Sequence, residues 1–180
     1  MKIYTRGGDD GTTGLYFGGR VAKTDAPIEV NGAVDEAQAA LGVARAWAER
    51  GGEIDALLVS VERDLWVLMA EVATSEANRR KLVDGATKVT AAMVERLESE
   101  IDRLSAATEM PREFVVPGEG HLSAALDVAR TVVRRAERVA VAHRVEGSFV
   151  GAYLNRLSDF VWALARFAEG PHHRTARAGD

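Results

Sequence analysis

The stretch HLSAALDVARTVVRRAERVAVAHRV, residues 121–145, decides how this chain is read. Leu122, Leu126, Ala129, Val133, Ala136 and Ala140 recur at three- and four-residue intervals, the spacing that lines one face of an α-helix. At about 100° per residue, Asp127, Arg130, Arg134, Glu137 and Arg138 fall within one third of the circumference, opposite that face. Such a polar stripe can be a solvated surface carrying ion pairs such as Arg134 with Glu137 or Arg138. It can also be a clamp for a polyanion. Guanidinium forks match phosphate oxygens two at a time and stay charged when desolvated, and Arg130, Arg134, Arg135 and Arg138 lie within nine residues.

Working outward, the same periodicity predicts four more helices. The first runs from Asn31 to the Gly51-Gly52 stop, burying Val34, Ala37, Leu41, Ala44 and Ala48. The second spans Glu53 to Ala73 on Ile54, Leu57, Leu58, Val61, Leu65, Leu68 and Val72. A polar stretch, Thr74 to Thr87, precedes the third, Lys88 to Ala107, with Met93, Leu97, Ile101 and Leu104 in register. Pro111, Pro117, Gly118 and Gly120 make TEMPREFVVPGEG a loop despite its apolar Phe114-Val115-Val116. The fifth, Ser148 to Glu169, buries Val150, Leu154, Leu157, Val161 and Leu164 before Gly170-Pro171, and its polar stripe of Asn155, Asp159 and Arg166 is expected to face the same cleft as the arginines. The fold class expected is all-α, a five-helix antiparallel bundle with a Gly/Thr-rich N-terminal phosphate-binding loop. It is a single domain over 1–169, and the tail, residues 170–180, is expected to be disordered.

That loop is read from glycine. Gly7, Gly8, Gly11, Gly14, Gly18 and Gly19 are six of the chain's 17 glycines, all within the first 19 residues, with Thr5, Thr12 and Thr13 between them. Glycine lets backbone N–H groups turn toward an anion and threonine hydroxyls add donors, so the segment would cradle phosphates, with Lys23 as a point charge just behind it. A flexible arm is the plainer reading of the same residues. Neither GxxxxGK[ST] nor GxGxxG occurs, which excludes the P-loop and dinucleotide forms of such a cradle.

Composition narrows the classes further. With 180 residues and 47% hydrophobic content the chain can bury one sizeable core. Lys and Arg number 23 against 27 Asp and Glu, a net charge of -4, so no global positive field would hold nucleic acid or a membrane surface. Cysteine is absent, which removes disulfides, thiolate metal sites and thiol nucleophiles and fits a reducing compartment. With neither an apolar signal core nor a membrane-length apolar run, the chain is read as cytoplasmic. A di-metal bundle needs Glu-x-x-His on two facing helices; His121, His143 and His173 lack that spacing, Glu169–His172 has it only across the Gly170-Pro171 helix stop, and no GxSxG elbow is present. Any metal ligand set remains unknown at this level.

Four blocks in order, YTRGGDDGTTGL (4–15), NGAVDE (31–36), FVVPGEG (114–120) with ARTVVRRAER (129–138), and YLNRLSDFVWALAR (153–166), make the chain resemble the PduO-type ATP:cob(I)alamin adenosyltransferases. The resemblance covers Lys2 to Arg166. It implies a homotrimer with each active site between neighbouring subunits and an ATP loop over residues 1–30. ATP would be held by Thr5, Arg6, Gly7, Gly8, Thr13, Gly14 and Lys23 on one side and Arg134, Arg135, Glu137, Arg138 and Asn155 on the other. It further implies that Asp35 pairs with Arg130 to close the site over the corrinoid, and that Phe114 takes the face of cobalt its lower ligand would occupy.

The reaction implied is attack of Co(I) in cobalamin on the 5′ carbon of ATP, with Mg2+ and the arginines neutralising the departing triphosphate. A reductase and a B12-dependent acceptor enzyme are implied partners. Three positions depart from the family pattern: Asp127 where His is usual, Asp25-Ala26-Pro27-Ile28 without an Arg after Pro, and Glu119 in place of a second Gly. A non-catalytic bundle that binds ATP as a regulator or delivers the cofactor would keep the ATP positions without needing Asp35, Arg130 and Phe114 together. A purely structural trimer would need no Gly-Thr loop.

Overall fold

The computed structural model describes residues 3–171 and 173–177. A short antiparallel hairpin comes first, Thr12–Gly14 (β1) with Arg20–Ala22 (β2), Thr12 facing Ala22 and Gly14 facing Arg20. Five helices follow: Ala26–Arg45 (α1), Glu53–Val72 (α2), Ala91–Ala107 (α3), His121–Ala142 (α4) and Val150–Glu169 (α5). Val115–Val116 (β3) pairs antiparallel with Arg174–Thr175 (β4).

Each helix runs opposite to the one before it. Arg45, at the end of α1, reaches Asp55 at the start of α2 at 2.7 Å. Glu53 and Arg103 meet at 2.6 Å where α2 begins and α3 ends, and Glu71 near the end of α2 accepts from the Val89 amide just before α3 at 2.7 Å. Trp47, past the end of α1, stacks at 4.6 Å on His121 at the start of α4. Asp127 with Arg166 and Glu137 with Asn155 then fix α4 against α5 in opposite directions. α4 packs between α1 and α5, while α3 lies beside α5 and runs parallel to it, tied by Glu98 and Arg156 at 2.9 Å. One end of the bundle therefore collects the starts of α1, α3 and α5 with the ends of α2 and α4; the far end collects the rest.

The predicted core faces are largely the observed ones, though α1 stops at Arg45 short of the Gly51-Gly52 stop, and Ala48, Ile54, Leu57, Val72, Ile101 and Leu122 are only partly buried. Val34, Ala37, Leu41 and Ala44 of α1, Leu58, Leu65 and Leu68 of α2, Leu126, Ala129, Val133 and Ala136 of α4 and Leu154, Leu157, Val161 and Leu164 of α5 are all buried. No helix among the described residues is long and apolar enough to cross a membrane.

Several expectations need correction. α1 begins at Ala26 and not at Asn31, because Pro27 sits in its first turn, where a missing N–H and a fixed φ are tolerated. The loop of residues 1–30 thus ends at Asp25. α3 begins at Ala91 with the Thr90 hydroxyl accepting from the Met93 amide, and the polar stretch before it contains a 3₁₀ turn, Glu76–Lys81. The C-terminal segment is not disordered at Arg174–Thr175, because β3 offers it a free strand edge; His172 and residues 178–180 lie outside the described residues.

Charges in the interior are paired. Asp127 and Arg166 meet at 2.6 Å with side chains 7% and 2% exposed, and Arg166 also reaches Glu169 at 3.1 Å. Asp64 takes Arg96 of α3 and, at 2.7 Å, the hydroxyl of Tyr153 of α5, whose pKa burial pushes well up. Glu71 accepts from Arg79, the Val89 amide and the Ser148 hydroxyl. Removing one partner of a desolvated pair strands the other. Arg166→Ala is therefore expected to cost about 3–5 kcal/mol, while Arg156→Ala, at a half-exposed pair, costs about 1 kcal/mol or less. Urea denaturation at one fixed protein concentration compares them, and equal losses would contradict the assignment.

Candidate active site

The N-terminal loop is ordered by its own side chains. Asp10 accepts from the Thr12 amide at 2.9 Å and the Thr12 hydroxyl at 2.8 Å, and these bonds hold its carboxyl below the usual carboxylate value. Arg20 spans the hairpin: its Nε donates to the Thr12 hydroxyl at 3.0 Å and its Nη2 donates to the Gly7 carbonyl. The Thr5 hydroxyl accepts from the Gly7 amide at 3.3 Å. Arg6 stands at φ 61°, a left-handed conformation that costs a non-glycine residue about 1–2 kcal/mol and persists here inside the turn closed by the Asp9 amide on the Arg6 carbonyl. Lys23 is folded back onto the loop, its Nζ 3.1 Å from where a Gly8 Cβ would stand, so a side chain at Gly8 would push the ammonium aside. Thr5, Arg6, Gly7, Gly8 and Lys23 thus share one glycine-walled turn bearing a cation, and Thr13 and Gly14 lie on β1 of the adjoining hairpin.

The hairpin hangs from the end of α2, where the Tyr16 amide donates to the Ala73 carbonyl at 2.9 Å. Asn78 of the 3₁₀ turn donates to the Phe17 carbonyl at 3.4 Å. A cavity of about 420 Å³, lined by Pro27, Glu71, Thr74, Arg79, Arg144 and Ser148, opens at this same end of the bundle.

On α4, Arg134 and Arg138 are exposed and stacked one turn apart, with the Arg138 Nη1 donating to the Arg134 carbonyl at 3.1 Å. Glu137 accepts from Asn155 Nδ2 of α5 at 2.8 Å, which fixes both polar groups beside the arginines. Arg135 turns away to Glu36 of α1, whose carboxyl it holds below the usual value. No hydrogen bond or ion pair joins the hairpin to the α4 arginines among the described residues.

At the far end, a cavity of about 460 Å³ is lined by Phe114, Pro117, Asp127, Arg130, Trp162 and Arg166. Phe114 is 88% exposed, so it is no core anchor. Arg130 lies 3.5 Å from Asp127 and not on Asp35, which is exposed and makes no ion pair among the described residues. Asp127 is buried rather than solvated, because Arg166 opposes it, and Arg166 is the largest fully buried side chain rather than part of an open stripe. Asp159 faces α3 through Arg156, away from that cleft. Asp10 and Arg20 were missing from the sequence reading. Asp10-Gly11-Thr12 is an Asx-type turn signal that could have found the first; Arg20 is legible only once the hairpin register is known.

No group of three or more His, Asp or Glu side chains that could hold a metal ion occurs among the described residues. A glycine-walled loop with a lysine, an arginine pair braced by a Glu–Asn bond, and a separate pocket with an exposed aromatic at its rim are the parts a mainly helical protein would need for an oligophosphate and a second, larger ligand.

Comparison with known proteins gives the family. Residues 3–168 match the family model described as cobalamin adenosyltransferase, and the chain belongs to that family. It is 42% identical over 172 residues to the corrinoid adenosyltransferase of Mycobacterium tuberculosis, covering 93% of this chain and 88% of the relative. It is 38% identical over 174 residues to a corrinoid adenosyltransferase of Citrobacter freundii, covering 93% and 95%. Among solved structures, a phenylalanine-to-alanine variant of the PduO-type ATP:corrinoid adenosyltransferase from Lactobacillus reuteri, complexed with cobalamin and ATP, superposes with a TM-score of 0.84 at 30% identity, covering 98% of this chain and 100% of that one.

Arg134→Ala and Arg138→Ala should each weaken ATP binding by about 1.5–3 kcal/mol, the size of a lost charged hydrogen bond. Calorimetric titration measures it, and unchanged affinity in both variants would remove the clamp.

Proposed function

We propose that this chain transfers the 5′-deoxyadenosyl group of ATP to the cobalt of reduced cobalamin, giving adenosylcobalamin and triphosphate. The observation that carries the reading is the coexistence, in a bundle that superposes on a PduO-type enzyme complexed with cobalamin and ATP, of the Gly8–Lys23 cradle and the Arg134/Arg138 pair braced by Glu137–Asn155.

The chemistry explains the parts. Co(I) of the corrinoid attacks the 5′ carbon, the carbon–oxygen bond breaks, and negative charge grows on the departing triphosphate. Lys23, Arg134 and Arg138 supply positive charge for that developing anion, and the glycine walls at Gly7, Gly8 and Gly14 with the Thr13 hydroxyl let phosphate come close to the loop. Magnesium suits a triphosphate because it accepts phosphate oxygens and waters with only one or two protein carboxylates. Glu137, held beside the arginines by Asn155, is the carboxylate in place to take it, and the bound ion would neutralise phosphate charge. Phe114 serves the metal of the second substrate. An apolar ring where water or base would sit leaves Co(II) without its lower ligand and easier to reduce.

Assembly follows from distance. The 5′ carbon is joined through one oxygen to the triphosphate, so cobalt must approach the phosphate cradle closely. In one chain the hairpin hangs at the end of α2, whereas Phe114 lies at the opposite end, beside the start of α4 and the end of α5. A 20-residue helix separates them by about 30 Å. The loop of one copy therefore works with the Phe114 pocket of another, and closed three-fold rings are the assembly we assign. The exposed Asp35 is then available to Arg130 across that contact. Arg135, committed to Glu36, braces α4 on α1 and acts on ATP only if that pair opens. The use of Co(I) requires a partner or small reductant upstream and an acceptor of the finished cofactor downstream.

Phe114→Ala is expected to lose far more turnover from cob(II)alamin than from chemically reduced cob(I)alamin in an anaerobic absorbance assay, with ATP affinity near that of the unaltered protein. Equal loss on both substrates would make Phe114 a fold element. Light scattering should give close to three times the 19.4 kDa chain mass, and a fully active monomer or dimer would contradict the shared site.

A further inference from the structure

The loop that carries Phe114 has little backbone support of its own. Pro111 and Pro117 have no amide to donate, and Gly118 stands at φ 123°, a conformation open to glycine. Among the described residues, positions 109–119 find their backbone partners in the C-terminal segment: Val116 lies opposite Arg174, Val115 opposite Thr175 in the non-hydrogen-bonded position between, and the Ala176 amide donates to the Phe114 carbonyl at 2.7 Å. Arg174 adds an ion pair to Glu119 at 3.1 Å. The Phe114 ring, 88% exposed, gains no fixed position from packing within its own chain. Its height above the cavity floor of Asp127, Arg130 and Arg166 is set through its backbone.

We infer that Arg174–Ala176 is a strap that positions Phe114 for the corrinoid step, with Ala176 as a positioning residue acting through the Phe114 carbonyl. This rests on the reading that the Phe114 ring takes the lower face of cobalt. The strap is separate from the helix it follows: Gly170, at φ 65°, and Pro171 end α5, so the segment beyond them can detach without unwinding the bundle. A two-residue ladder is marginal by itself, which makes the segment releasable as well as restraining. Detachment would free Phe114 and break none of the bonds that hold the hairpin or the Glu137–Asn155 pair. The C-terminal segment thereby couples to corrinoid handling and not to nucleotide affinity.

The test uses two full-length variants. Ala176→Pro deletes the one N–H that Phe114 accepts and keeps the preceding residue extended, whereas Ala176→Gly keeps the donor. In Ala176→Pro the Val116 amide should exchange with deuterium about tenfold faster, and KM for cob(II)alamin should rise roughly three- to tenfold, the size of one lost hydrogen bond. KM for ATP should stay within about twofold, and Ala176→Gly should behave as the unaltered protein. Unchanged exchange in Ala176→Pro, or equal shifts in both KM values, overturns the strap. Phe114→Ala is run in parallel: if it loses cob(II)alamin turnover while Ala176→Pro keeps unaltered kinetics, the strap alone is wrong. If Phe114→Ala itself keeps cob(II)alamin turnover, the reading of Phe114 fails and the positioning role falls with it.

Discussion

Five helices that alternate in direction, each about 30 Å long, put successive loops at opposite ends of the molecule. The phosphate loop precedes α1 and the Phe114 loop precedes α4, and an odd number of helices, three, lies between them, so the two loops sit at opposite ends. Chemistry demands the reverse, since cobalt must reach a carbon one oxygen away from the phosphates. The proposed assembly would resolve the conflict with a second copy, for which the exposed Asp35, the unshielded Phe114 ring and the absence of any bond between hairpin and α4 among the described residues leave room.

The interior is arranged to keep those half-sites rigid. Three buried carboxylates sit at three levels, and each is bonded to a group on or just before α5: Glu71 to Ser148, Asp64 to Tyr153, and Asp127 to Arg166. Such desolvated pairs add little net stability compared with an apolar filling, but each tolerates only one register. Glu71 lies at the hairpin end. Through Arg79 it holds the 3₁₀ turn whose Asn78 carries the Phe17 carbonyl of the hairpin. Asp127 lies at the Phe114 end, its carboxylate between the buried Arg166 and the half-exposed Arg130.

What the sequence made legible was whatever a single helix determines. The period of Leu126, Ala129, Val133 and Ala136 reports one face, and the structure buries that face. The Gly-Thr loop was equally readable, because left-handed turns such as Gly11 at φ 81° require glycine. Properties belonging to pairs of elements were not readable. Asp127 and Arg166 each look like surface charges on their own wheels, and only the α4–α5 contact turns them into a buried pair. Arg135 sits beside Arg134 in sequence but about 100° round the helix, which delivers it to Glu36 and not to the arginine pair. The start of α1 escaped because Pro27 reads as a breaker inside a helix and as a normal residue in its first turn. The C-terminal strand has no periodicity, and it forms only because β3 presents an edge.

The division of one site between two copies is tested most directly by complementation. Full-length Lys23→Ala and Phe114→Ala chains carrying different tags are co-expressed, mixed oligomers are purified through both tags, and turnover from cob(II)alamin is measured. Each variant alone lacks one half of every site. If the loop of one copy serves the Phe114 pocket of its neighbour, any mixed ring of three regains about one intact site in three, and turnover returns toward a third of the unaltered protein's. Mixed oligomers no more active than the two variants measured separately would place both halves in one chain and contradict the shared site.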